Sequence, residues 1–499
     1  MTAQRRIISV QGPFNLLSVL SHLFAEQEEV VQKSDDILVV HGLHAGDDTK
    51  NIHAVISDMA RVWSWEKIVF LADFEKEHLH NTQTIDQSLI DKLHAAIGVS
   101  TVDEVFIVRN WQLTNELILK AFPSANKILY GDAFGQIDSY AGPRYESINE
   151  GRFLLPLKYF PHSTEEKVID PKFFPFQISP RHCVLKVIEK YLATSDEARA
   201  VHAEIGADSE RKIILLTKNA TESKVTQLET EIAIYVDAVL KVAQPGVEVV
   251  IKPHPREALG QSGLVQRALK DLCGIECKIV GAGSYTGHMP VEVLCFRNNF
   301  LAVIAPLVSV TCRQLKFLFD IDSYDPLSDE MLGFINPARA YHYLATDLVN
   351  REAVSRLNTW DESGMVYEWF ADGVEEKKQL ARLKSVASRW PQLRDAGDPQ
   401  VSQAFEELNK ASQEGAVEKL IDAARRLVEL APQDLPLLFS LGEFGEKSGD
   451  LETAQRAYEI ATVMDVRNIE AHKRLSAVLL KMGREGEAKI AELCARQIA

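Results

Sequence analysis

The chain has 499 residues, 46% of them hydrophobic and 25% charged, with 71 acidic against 55 basic side chains and a formal net charge of -16. At about 150 residues per domain the length suggests roughly three domains, and the hydrophobic fraction lets each bury its own core, which argues against long disorder. The negative surplus argues against a non-specific nucleic-acid binder, because neutralising phosphates takes clustered Lys and Arg; an anionic ligand needs a local basic pocket.

The opening stretch, MTAQRRIISVQGPFNLLSVL, sets Arg5 and Arg6 before apolar residues as a signal peptide does. Gln11, Gly12, Pro13 and Asn15 interrupt it and no small-x-small site follows, so a first strand is predicted instead. From residue 5 to about 135, the runs RIISV, DDILVVH, WEKIVFLAD, DEVFIVR and ANKILYGD alternate with helical patterns, the sign of βαβ units and a parallel sheet. Residues 1–185 are therefore expected to form one Rossmann-like domain, closing in a Pro-, Phe- and Tyr-rich segment at roughly 136–180 that reads as a loop-rich crossover. A second series, ERKIILLTKN, VEVVIKPHP, IECKIVGAG, FLAVIAPL and RAYHYLA, with a helical pattern near 225–243, predicts a second Rossmann-like domain over 186–395. The fold class is α/β, and ligands of such tandem sheets sit in a cleft at the carboxyl ends of the strands.

Residues 400–499 lose the strand pattern and keep helical spacing throughout. Gly415, Gly449 and Gly483 stand 34 residues apart, and Leu441 to Leu475 and Ala454 to Ala488 keep the same step. The middle copy, LPLLFSLGEFGEKSGDLETAQRAYEIA, resembles the tetratricopeptide repeat family, whose helix-turn-helix unit has this period. Three such repeats are expected, about the minimum for stacking, with a protein partner as their usual ligand and capping of the enzyme as the alternative.

No uninterrupted apolar run approaches the roughly 18 residues needed to cross a bilayer, so no transmembrane segment is expected. The six cysteines, at 183, 273, 277, 295, 312 and 494, are too sparse for a disulfide framework and read as scattered core thiols rather than a zinc site. The expected location is the cytoplasm, free or peripheral to a membrane.

Three segments carry residues suited to chemistry. In VEVVIKPHPRE a buried strand ends at Lys252, and Pro253 and Pro255 fix the backbone around His254 beside Arg256. A rigid imidazole among cations at a strand's carboxyl end suits a phosphate; an ordinary turn histidine is the alternative. In FLAVIAPLVSVTCRQLKFLF, Ser309 and Thr311 stand at a helix start, where hydroxyls and free N–H groups favour anions, or simply cap the helix. In ILYGDAFGQID, Asp132 lies between small residues at the end of the fifth strand, placed for general-base work or for capping a turn.

This trio resembles the bacterial sialyltransferase and polysialyltransferase families, which have the two-Rossmann glycosyltransferase architecture called GT-B. Their marks are an acidic-acidic-Gly motif, a later His-Pro motif and a Ser/Thr pair after it. His254-Pro255 and Ser309/Thr311 match in order, and Pro13 with Leu16-Leu17 is similar to the families' opening turn. Coverage is roughly residues 5–330. Gly131-Asp132-Ala133 departs from the acidic motif at both flanks, with Asp132 aligned to the catalytic base. The resemblance implies transfer of a nonulosonic acid, of sialic or pseudaminic type, from a CMP-activated donor to a glycan or protein acceptor. Asp132 would be the base and His254 the phosphate-binding catalytic residue. Donor contacts would come from Lys252, Pro255, Arg256, Ser309 and Thr311, with Pro290 and Glu292 meeting the cytidine. No cofactor or metal is implied.

Asp320-Ile321-Asp322 reads D-x-D as in metal-dependent transferases, but falls beyond a helix of the second domain and is expected to be a surface coincidence. There is no G-x-G-x-x-G after the first strand and no G-x-x-x-x-G-K-[ST], which removes dinucleotide and P-loop readings. Two alternatives stay open: a Kdo or glycerol-phosphate transferase using a cytidine donor, and an inactive transferase-like adaptor acting through its repeats.

Overall fold

Residues Ile7, Ile8 and Val10 of the first strand are fully buried, as are Ile37 to Val40 of the second, so both faces of these strands meet apolar layers. That is the requirement of a parallel sheet covered on two sides. The computed structural model describes residues 4–29, 34–42, 49–80, 84–108, 113–131, 148–153, 157–160, 176–206, 211–281, 285–307, 311–324, 328–339, 367–370, 386, 388–395 and 397–499.

Strands β1 (Gln4–Val10), β2 (Ser34–Val40), β3 (Lys67–Phe70), β4 (Glu104–Ile107), β5 (Asn126–Gly131), β6 (Glu150–Phe153) and β8 (Phe176–Ile178) form a parallel sheet in the order 3-2-1-4-5-6-8. Helices α1 (Pro13–Glu29), α2 (Thr49–Ala60), α3 (Ala72–His78), α4 (Gln87–Ile97) and α5 (Leu113–Ala121) connect its first five strands. The segment read as a crossover thus contributes β6 and β8 to this sheet, while β7 (Leu157–Phe160) pairs in parallel with β14 (Tyr367–Phe370).

Helices α6 (Arg181–Thr194) and α7 (Asp196–Gly206) lead to a second parallel sheet. It comprises β9 (Lys212–Leu216), β10 (Glu248–Lys252), β11 (Cys277–Ile279), β12 (Phe300–Ile304) and β13 (Asp322–Tyr324), in the order 11-10-9-12-13. Its helices are α8 (Leu228–Val242), α9 (Gln261–Cys273), the short α10 (Tyr285–His288) and α11 (Val291–Cys295), α12 (Thr311–Phe319) and α13 (Asp329–Leu332). Both sheets reverse their strand order beside the first strand, at β1/β4 and at β9/β12, and ligands of doubly wound sheets bind outside such points. RAYHYLA, expected as a further strand, lies outside the described residues from position 340 onward.

The two sheets are held together. Helix α6, within which the expected junction near residue 185 falls, packs on α1. One apolar cluster runs from Ile8 and Leu20 through Tyr191 to Val303 and Ile321. The Tyr285 hydroxyl donates to Asp58 Oδ2 at 2.7 Å and lies 2.5 Å from the Tyr191 hydroxyl, tying α10 to α2 of the first sheet.

The C-terminal region is all helical, three hairpins built from α14 (Pro399–Glu414), α15 (Val417–Glu429), α16 (Leu435–Ser448), α17 (Leu451–Met464), α18 (Ile469–Lys481) and α19 (Glu485–Ile498). Gly415, Gly449 and Gly483 turn each hairpin at φ 65, 83 and 77, the left-handed conformation that glycine tolerates without a Cβ penalty. Asp398, Asp434, Asp450 and Asn468 cap the helices that follow them through side-chain acceptors. The last hairpin is docked on the second sheet's helices: Ile490, Leu493 and Cys494 of α19 join the cluster of Leu264, Leu269 and Tyr235. His472 Nδ1 pairs with Glu229 of α8, and its Nε2 lies 2.8 Å from the Val466 carbonyl. Among the described residues no helix is long and apolar enough to cross a membrane, and all six cysteines are free.

Candidate active site

At the carboxyl end of the second sheet, adjacent strands β9 and β10 deliver two loops that lock onto each other. Thr217 N–H donates to the Lys252 carbonyl at 3.2 Å. The His254 N–H donates to Thr217 Oγ1 at 3.0 Å, and Thr217 Oγ1 donates to Glu257 Oε2, also at 3.0 Å. Glu257 Oε1 accepts from both N and Oγ of Ser262 at 2.7 Å, so the His-Pro turn is bolted to the start of α9. On the β9 side, Lys218 N–H donates to the Tyr235 hydroxyl at 2.6 Å. That hydroxyl donates to Glu231 Oε1 at 3.1 Å, and Glu231 also accepts from Ala220 and Thr221.

His254 is half-buried at the head of this turn. Its Nδ1 accepts the Arg256 N–H at 3.1 Å, which leaves the hydrogen of the neutral ring on Nε2. Burial of the ring, then Lys218, Arg256 and Lys252, hold its pKa down at about 3. The imidazole is therefore an uncharged donor at neutral pH, surrounded by cations that favour an incoming anion. Three cations thus act on His254 in a chain whose net charge is -16.

Lys252, expected to touch a donor, is 6% exposed, and its ammonium bonds the Gly287 and Pro253 carbonyls. It sits beneath the site and fastens the α10 turn over the end of β10. Burial lowers its pKa to about 8, opposed by Glu292 and Glu257. Pro290 and Glu292, at the start of α11, are both buried beside this turn. Pro255 and Arg256 are exposed, and Thr311 is half-buried at the first position of α12, beyond β12. The structure thus gathers Lys252, His254, Pro255, Arg256, Pro290 and Glu292 around the end of β10. Ser309 and Asp132 lie outside the described residues.

What is described of the first sheet's corresponding edge ends at Gly131, whose φ of 143 is a conformation that L side chains rarely adopt. Glycine at this position, where the resemblance expects an acid, is what the backbone leaving β5 requires. Sequence reasoning missed the polar network below it. Ser9 Oγ donates to Asn115 Oδ1 at 2.8 Å and lies 2.6 Å from His41 Nε2, while the Tyr130 hydroxyl donates to the Ser9 carbonyl at 2.5 Å. Glu75 accepts from Gly42 N–H and Thr114 Oγ1. His41 was unassigned because its partners come from β1 and α5, far away in sequence. Of the D-x-D-like pair, Asp320 and Asp322 both hold the Lys316 ammonium, at 2.6 and 2.8 Å, on an exposed edge.

Residues 144–311, about a third of the chain, match the family model described as Alpha-2,8-polysialyltransferase (POLYST). That stretch is polysialyltransferase-like; it contains His254 and ends on Thr311. A search of the curated proteins finds no match. Among solved structures, the UDP-GlcNAc 2-epimerase from Methanocaldococcus jannaschii is 10% identical, covering 78% of this chain and 93% of its own, with a TM-score of 0.39. The UDP-GlcNAc 2-epimerase from Neisseria meningitidis bound to UDP-GlcNAc is 10% identical over 77% of this chain and 100% of its own, TM-score 0.35. A glycosyl transferase family 9 protein from Veillonella parvula DSM 2008 is 11% identical over 72% of this chain and 98% of its own, TM-score 0.32.

Proposed function

We propose that this protein is a sialyltransferase-like glycosyltransferase of GT-B architecture that moves a nonulosonic acid from a CMP-activated donor to a glycan or protein acceptor. One observation carries the reading: the polysialyltransferase-like stretch contains the turn in which His254 is held as a neutral Nε2–H donor among Lys218, Lys252 and Arg256.

In this reading the donor's phosphate meets His254 Nε2–H, Arg256 and the hydroxyls of Ser309 and Thr311. Pro290 and Glu292 face the cytidine, and Lys252 acts from below by holding the α10 turn. The acceptor hydroxyl loses its proton to Asp132 as its oxygen bonds the anomeric carbon, and the bond from that carbon to the phosphate oxygen breaks. CMP departs with its developing charge met by His254 and the neighbouring cations, the kind of electrostatic assistance that dominates many enzymes. One displacement inverts the anomeric centre. The departing CMP needs neither metal nor cofactor. The three helical hairpins are read as tetratricopeptide repeats, and residues 400–499 as the surface for a protein partner.

The test is binding and hydrolysis of a panel of CMP-sugars with CMP, CDP and UDP as competitors, for the parent chain, Asp132→Ala and His254→Ala. Selective cytidine binding, with turnover lost in both variants and binding kept in Asp132→Ala, is the expected result. Absence of cytidine binding in the parent chain removes the assignment and leaves the helical region as the guide to function.

A further inference from the structure

Helices from the first sheet, the second sheet and the junction between them meet at one chain of hydroxyls. Tyr285 of α10 donates to Asp58 Oδ2 of α2 at 2.7 Å, and Arg61 Nη1 holds Oδ1 of the same carboxylate at 3.0 Å. The carboxylate only accepts, so the one hydrogen of the Tyr285 hydroxyl is committed to it. The Tyr191 hydroxyl of α6, 2.5 Å from that of Tyr285, is then the donor in their contact. Burial raises the pKa of both phenols, so both keep their hydrogens. Tyr191, Tyr285 and Asp58 thus form a relay that runs one way and ends on a charge, an arrangement in which successive hydrogen bonds strengthen one another. Asp58 is 6% exposed and Tyr191 fully buried, so little water competes for these bonds.

The other end of α10 reaches the candidate active site. Two residues after Tyr285, the Gly287 carbonyl accepts the Lys252 ammonium from beneath the His254 turn. A Cβ on Gly287 would stand 2.5 Å from the Gly281 carbonyl oxygen, so α10 is pressed onto the exit of β11. From His288 the chain runs through buried Met289 directly into Pro290 and Glu292. A helix of four residues has little stability of its own, so its place is set by what its ends hold. Those are Asp58 and Tyr191 at one end and Lys252 at the other.

We infer that Tyr285 is a positioning residue for the donor site. It fixes α10 against the first sheet, and α10 in turn sets Lys252, Pro290 and Glu292, so the second sheet's site is complete only with the first sheet seated on it. What the site binds rests on the transferase reading above; the coupling rests on the geometry alone.

CMP affinity of the full chain is measured by calorimetry, beside the ring-nitrogen NMR signals of His254, assigned by their loss in His254→Gln. Tyr285→Phe keeps the ring and loses the relay. It is expected to weaken CMP binding about ten-fold, equivalent to about 1.4 kcal/mol, and to shift the His254 signals. Asp58→Ala, a change in the first sheet's own helix, does the same, whereas Asp58→Asn still offers an acceptor and keeps most of the affinity. Combined with Lys252→Met, Tyr285→Phe adds less than its separate effect, because both act on α10. Leu93→Ala, in the apolar cluster on the other face of the first sheet, controls for lost stability and leaves CMP affinity and the His254 signals unchanged. CMP affinity and His254 signals equal to the parent chain's in Tyr285→Phe and Asp58→Ala overturn the positioning role, as does an equal loss in Leu93→Ala, the transferase reading then standing. A parent chain that binds no CMP overturns the transferase reading instead. The His254 signals then decide the positioning role alone: shifted in Tyr285→Phe they uphold the coupling, and unshifted they remove it.

Discussion

The Thr217 hydroxyl accepts the His254 N–H and donates to Glu257, both at 3.0 Å, so one buried side chain joins the exits of β9 and β10. Thr217→Val keeps the shape and removes both bonds. Leaving a buried donor or acceptor unmet costs about 1–3 kcal/mol, and misplacement of His254 should lower kcat/KM about ten-fold or more. Thr217→Ser should restore most of both. Steady-state kinetics beside urea unfolding checks this; loss of stability with unchanged kinetics would show that the turn does not position the imidazole.

His22 and His41 are 3% and 1% exposed, and burial holds their pKa values at about 3 and about 4. Both lie below the unfolded value near 6.5, so the unfolded chain binds more protons in acid. Stability is complete above pH about 6.5 and falls as pH drops from there toward the folded values, by about 1.4 kcal/mol per group per pH unit. Urea midpoints at pH 7.5, 6.0 and 5.0 are expected to fall steeply, and His41→Gln should flatten the slope.

The buried His472–Glu229 pair acts in the opposite direction. Glu229 raises the pKa of His472 against the effect of burial, and His472 lowers that of Glu229. The histidine's contribution is fully present below pH about 6.5 and is lost as pH rises through its raised folded value. Removing one partner of a buried pair costs about 3–5 kcal/mol. Glu229→Gln should therefore lower the unfolding temperature of the second sheet and last hairpin together at pH 6, a shift that calorimetry resolves and that shrinks by pH 8.5.

Leu493 of α19 lies in the second sheet's apolar cluster, 4% exposed. Leu493→Ala should cost about 2–5 kcal/mol. Deleting residues 400–499 should accordingly impair donor hydrolysis together with acceptor use, not acceptor KM alone. A truncated chain that hydrolyses donor at the parent rate would show that the helices contribute nothing to the sheet they cover.

Much of this was legible in the sequence because the signals were local. Alternating branched runs marked nine strands of the two sheets, and the 34-residue glycine step marked the hairpins. β6 and β8 went unread because their short runs sit among Pro, Phe and Tyr without a period. Lys252 was read as a donor contact from its place beside His254 and the resemblance. The bond of its ammonium to the Gly287 carbonyl, 35 residues away, was not legible, because it is brought over by a turn that no periodicity announces. The Asp58–Tyr285 bond and the docking of α19 are likewise products of packing between distant elements.

The φ of 143 at Gly131 also bears on protein engineering. An acidic residue introduced at that position would have to occupy backbone space that only glycine enters freely. Grafting a second carboxylate onto this strand end is therefore a problem of reshaping the main chain as much as of changing one codon.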